Sequence, residues 1–166
     1  MTQKSESQIL ADTFEAVRGL TKFYISKLEK LDVKKQYSFN GVSFNTAYWI
    51  TAHLVWSEHS LIIEGLGGKK MDIPWLEEFS IGSPSAIKET WPEYKEVLKR
   101  MDQVHEAAMK LIRSLSDEEL DKPNHIGAYF MGKNTKRSII THAIRHEPMH
   151  TGQISWILKL NSVEMP

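Results

Sequence analysis

The side chains best suited to chemistry lie in HEPMHTGQ, His146 to Gln153. Two imidazoles stand four residues apart, and on a helix such positions share one face with Cβ atoms about 5–6 Å apart, close enough to chelate one metal ion. Seven histidines among 166 residues would give roughly 0.3 such pairs by chance, so the spacing needs support from elsewhere. His142 extends the row by one turn, and His53, within WITAH, lies in a separate apolar segment. A lone histidine such as His53 also fits a core position hydrogen-bonded to a carbonyl. If the segments around His53 and His146 pack as neighbours, His53, His146 and His150 together form a three-imidazole site. Three nitrogen ligands and a free fourth position are the composition of catalytic zinc, and imidazole equally suits nickel, copper or iron. The chain has no cysteine, which excludes disulfides, thiolate ligands and a protein thiol nucleophile.

Four elements must position these groups. From about Ser5 to Leu31, Ile9, Thr13, Val17, Leu20, Tyr24, Leu28 and Leu31 recur at steps of three and four, which predicts an amphipathic helix with that row buried. Asn40-Gly41 then marks a turn. A second helix, capped by Ser43 or Asn45, runs to about Gly65 with Ala47, Ile50, Leu54 and Leu61 inward. Trp49 and Trp56 flank His53 as packing residues. Residues 66–83 lack periodicity and read as a long crossover. The third helix begins either at Ser83-Pro84 or at the Thr90 to Glu93 capping box with Pro92 in its first turn. It carries Tyr94, Val97, Met101, Val104, Ala108, Leu111 and Leu115 in unbroken register, with His105 as a flanking surface residue. Ser116 and Glu119 box a short turn that Pro123 ends, and 123–136 reads as irregular, with no role for His125. Thr135 caps the fourth helix, which continues to about Leu160. The pattern is all-α, a four-helix bundle with long crossover connections, in one domain spanning 1–166.

Composition narrows the partners. Twenty-one basic and 21 acidic residues cancel without a basic stripe, which argues against nucleic acid. The polar start MTQKSESQ lacks an apolar signal region, and no apolar run reaches the roughly 20 residues needed to span a bilayer. The expectation is a soluble cytoplasmic protein with no membrane partner.

The histidine in mid helix two, after Trp49 in WITAH, and HEPMHTGQI near the C-terminus together resemble the DinB/YfiT-like family of four-helix metal-binding proteins, whose last helix shows H-x-x-x-H-x-G-Q. His146, His150, Gly152 and Gln153 match position for position, and Ser83 to Leu120 resembles the family's third helix and loop. The resemblance implies one divalent transition metal, zinc or nickel, held by His53, His146 and His150, and a homodimer. It also implies a metalloenzyme, either an S-transferase using an exogenous low-molecular-weight thiol or a metal-dependent hydrolase; a non-enzymatic helical binding or dimerisation module shares the fold. For a hydrolase, Glu58 and Glu147 are the nearest carboxylates in sequence, and neither falls clearly on the ligand face.

Pro148 sits between the two ligands of the last helix, where it cannot donate to the Ile144 carbonyl and its ring crowds that group. Either a kink or π-bulge keeps both imidazoles inward, or the helix breaks near Glu147. The apolar pattern resuming in phase at Ile154 and Ile157 favours the kink. Gly152 would admit a close approach by a helix or ligand, Gln153 is a candidate partner for a ligand imidazole, and His142 stays outside the ligand set.

Overall fold

The computed structural model describes residues 4–164, so the outermost residues of the expected 1–166 unit lie outside it. Helix α1 spans Glu6–Ser26, α2 Ala47–Glu58, α3 Tyr94–Arg113, α4 Asp117–Leu120 and α5 Lys136–Leu160. The only sheet among the described residues is a hairpin of β1, Ser38–Phe39, and β2, Val42–Ser43. The fold is all-α, and its long helices form a bundle. Helix α1 packs on α3 and α5, and α2 packs on the same two, so α1 lies diagonally across from α2. Each connection from α1 to α2, and from α3 to α5, therefore crosses the bundle. Long crossovers are therefore present, but not where the sequence suggested: residues 66–83, read as a crossover, join the neighbours α2 and α3.

Helix α1 begins at a capping box between Ser5 and Gln8. It gives way after Ser26 to tighter turns in which Leu28 and Leu31 donate to the carbonyls three residues back. Its buried row corrects the one predicted. Ser7, Ala11, Phe14, Arg18, Thr21 and Ile25 face the core, and of the predicted row Leu28 is buried and Val17, Tyr24 and Leu31 pack against the core, whereas Ile9, Thr13 and Leu20 are exposed. The reason is electrostatic: Arg18 enters the interior to meet carboxylates from two other helices, and that rotates the apolar row outward.

At Asn40-Gly41 the backbone takes positive φ at both residues, 48° and 77°, which closes the two-residue hairpin. With Ser43 held in β2, the cap of α2 falls to Thr46, whose Oγ1 accepts from the Trp49 amide at 3.1 Å. This replaces the caps expected at Ser43 or Asn45. Helix α2 is buried on nearly every side, because α3, α5 and the Leu76–Phe79 turn that follows it all pack against it. It continues without a break into a π-helical segment, His59–Glu64, and ends near Gly65 as the sequence predicts. Gly67 follows with φ 84°, and a Cβ there would lie 2.6 Å from the His125 ring. His125 thus packs over the end of α2.

The 66–83 connection holds one 3₁₀ turn, Leu76–Phe79. Neither predicted start of the third helix is used: α3 begins at Tyr94 after Glu93, without a side-chain cap. Trp91 is buried and stacks on Tyr48 with centroids 5.2 Å apart, and the Tyr48 hydroxyl donates to the Pro92 carbonyl at 2.6 Å. These contacts pin residues 91–92 as an extended lead-in. The α3 register holds, with Val97, Met101, Val104 and Ala108 in the core. The capping box at Ser116 and the Thr135 cap of α5 also form as predicted. Helix α5 then runs unbroken through Pro148, with no π-helical segment there. No helix is long and apolar enough to cross a membrane among the described residues.

Candidate metal centre

Helices α2 and α5 are neighbours, and they bring His53, His146 and His150 together so that one ring nitrogen from each lies within 4.8 Å of the others. Ring centroids are 5.5 Å apart for His53 and His146, 4.8 Å for His53 and His150, and 4.6 Å for His146 and His150. The break considered at Pro148 does not occur, and the i, i+4 pair keeps its chelating geometry. Pro148 is exposed, so its ring points away from the centre.

Two of the three ligands are held from behind. The Nδ1 of His53 lies 2.7 Å from the Phe79 carbonyl oxygen, which can only accept, so Nδ1 carries the proton and Nε2 is left as a lone pair. That carbonyl is available because Phe79 ends the 3₁₀ turn. Trp49 and Trp56 hold the His53 ring between them, stacked at 4.8 and 5.5 Å. His53 is therefore both the carbonyl-bonded core histidine and a member of the cluster. The Nδ1 of His150 donates to Gln153 Oε1 at 2.8 Å, again leaving Nε2 free. The Nε2 atoms of His146 and His150 face each other at 3.1 Å. A tetrahedral ion with Zn–N bonds of about 2.0–2.1 Å would separate two ligand nitrogens by about 3.3 Å. The donor set and its backing partners thus fit a metal ion.

The electrostatics favour the neutral, metal-ready form. Burial pushes His53 down to about 4, against a partial upward pull from the Phe79 carbonyl. Burial, followed by repulsion from His150, His53 and His142, brings His146 down to about 3. Burial also lowers His150, although Gln153 and Glu147 oppose it. At neutral pH all three imidazoles present lone pairs, so no proton must leave before a metal binds.

His142 continues the row but lies outside the cluster. It stacks on Phe130, centroids 3.8 Å apart, and its Nδ1 accepts from Arg145 at 3.2 Å. Gly152 is exposed, and no other helix of the chain approaches it: a Cβ there would meet nothing within 4 Å.

Next to the ligands on α5, at Glu147, lies a charged cluster that the sequence reading did not single out. Arg18 donates from Nε and Nη2 to the two oxygens of Glu147, both at 2.8 Å, and from Nη2 to Glu58 at 2.7 Å. His105 Nδ1 contacts the other Glu58 oxygen at 2.7 Å, which corrects its expected role as a surface flank. Burial alone would lower the Arg18 pKa, but attraction to Glu58 and Glu147 outweighs it and holds the guanidinium charged. Both carboxylates are committed to this cluster, so neither serves the histidines as a base. A signal did exist in the sequence: residues 7, 11, 14, 18, 21, 25 and 28 form a strict three-four row. It was masked because a buried, paired arginine resembles a solvated one in sequence.

Such a bundle, with three imidazoles converging from two helices, defines a class of helical proteins able to hold a metal ion. A sequence model of the DinB superfamily matches residues 13–154, and the chain belongs to that superfamily. No curated protein matches it.

Proposed function

We propose that this chain is a metalloenzyme that holds one divalent transition metal, zinc or nickel, on His53, His146 and His150 and uses it to activate a low-molecular-weight thiol for transfer to an electrophile. The observation that carries this is the convergence of three ring nitrogens within 4.8 Å, with the far nitrogens of His53 and His150 occupied by Phe79 and Gln153. Three neutral ligands leave a bound ion at its full charge, and the chemistry it would supply is to lower the pKa of a thiol or water at its open position. The protein's own part is to keep the imidazoles neutral and to fix their tautomers. Because the chain has no cysteine, the thiol comes from solution. Hydrolysis is the weaker alternative, since Glu58 and Glu147 are both bonded to Arg18 and no other carboxylate joins the histidine cluster among the described residues.

Metal analysis of untagged protein, reconstituted with zinc and with nickel, tests the centre. About one equivalent is expected for the wild type, and a loss of at least tenfold in affinity for His146→Ala and His150→Ala. Less than about a tenth of an equivalent in the wild type would overturn the assignment. The reaction is tested separately, by conjugation of glutathione to 1-chloro-2,4-dinitrobenzene against ester hydrolysis. Turnover of the first that disappears in both variants supports transfer, and ester turnover alone would favour the hydrolase.

A further inference from the structure

A cavity of about 760 Å³ lies beside the histidine centre, between the β1–β2 hairpin, the first turn of α2 and the end of α5. Its volume falls among those of small-molecule sites, roughly 300–1,000 Å³. Phe39, Phe44, Ile50, Trp156 and Leu160 give it a mostly apolar wall. Two of its lining residues tie it to the centre. Ile50 precedes His53 by one turn of α2, and Gln153 is the residue whose Oε1 accepts from His150. The Nε2 of Gln153 meets no protein acceptor among the described residues, so a polar donor stands at the boundary between the apolar cavity and the imidazoles. A second cleft, near His105, Asp102 and Arg113, is charged and is not lined by His53, His146 or His150.

We propose that this cavity holds the aromatic or branched aliphatic body of the ligand whose metal-binding head reaches the three histidines, with the Gln153 amide donating to a ligand oxygen between the two. This rests on the metal assignment above. It adds a substrate class: an amphipathic small molecule, with one polar ligating end and an apolar body of about the size of a bicyclic ring. The exposed aromatic residues of the hairpin and of α5 then have a use, since Phe39 and Trp156 are 70% and 69% exposed.

The test uses the metal-loaded chain and three probes in isothermal titration calorimetry: 2-naphthohydroxamate, with head and body; acetohydroxamate, with the head alone; and 2-naphthol, with the body alone. The expected result is that naphthohydroxamate binds at least about thirtyfold more tightly than acetohydroxamate. Trp156→Ala and Phe39→Ala should each cut that ratio about fivefold or more, with acetohydroxamate affinity and metal content unchanged. Both replace exposed side chains, so folding is preserved. A ratio below about threefold, or one indifferent to both variants, overturns the cavity assignment while leaving the metal centre standing. If the chain takes up no metal, the failure belongs to the metal assignment, and 2-naphthol then decides the cavity. Binding of naphthol that is lost in Trp156→Ala supports an apolar site, and no binding overturns it. A second copy of the chain seated there, seen in sedimentation as a dimer dissociated by the same two variants and blind to 2-naphthol, also overturns it.

Discussion

Replacing Arg18 by methionine should be among the most damaging single changes available away from the apolar core. The side chain is buried and makes three short ion-pair contacts, two to Glu147 and one to Glu58. Methionine fills much of the same volume but leaves two carboxylates in the interior with His105 as their one remaining basic neighbour. Breaking a buried pair in this way costs about 3–5 kcal/mol, out of a total stability on the order of 5–15 kcal/mol. With a urea slope near 2 kcal/mol per molar, the unfolding midpoint should fall by about 1.5–2.5 M. The assay is urea unfolding of metal-free protein followed by far-UV circular dichroism. The Arg18→Met, Glu58→Gln, Glu147→Gln triple variant removes the stranded charges and should recover at least about a third of the loss. A cost below about 1 kcal/mol for the single variant would refute the view that this cluster sets the rotation of α1 and anchors α5 behind its ligands.

Other outcomes follow from the same geometry. Gln153→Leu removes the acceptor for His150 Nδ1, and should weaken zinc binding by about 10–100-fold in a chelator competition while leaving the unfolding midpoint within about 0.5 M. Pro148→Ala restores a helical donor on an exposed face; it should leave metal affinity within about threefold and raise stability by about 1 kcal/mol or more, and a lost metal site would show that the proline is needed for the ligand geometry. In metal-free protein the depressed histidines set a pH dependence. The folded pKa of His53, about 4, lies below its unfolded value of about 6.5, so the unfolded chain binds more protons between the two. Stability should therefore be fully present above about pH 6.5 and decline as pH falls toward 4, with His53 contributing up to about 3 kcal/mol. A thermal midpoint flat between pH 7 and 5 would contradict this, and His53→Asn should flatten the slope.

The sequence by itself determined the helical bundle, its caps at Ser116 and Thr135, the α3 register, and the three histidines. These features depend on local periodicity, on turn and cap chemistry, and on a spacing that one helix turns into proximity. Three things were decided only by tertiary structure. The face of α1 that is buried depends on where Glu58 and Glu147 lie in space, because an arginine is stable inside only when its partners arrive from other helices. The start of α3 depends on Trp91 stacking on Tyr48, a contact between residues 43 positions apart that overrides a locally sound capping box. The standing of Gln153 depends on the His150 rotamer that faces it. His53 shows both halves at once: its place on an apolar helix was legible, but its free Nε2 follows from a carbonyl that a distant 3₁₀ turn happens to leave without a partner.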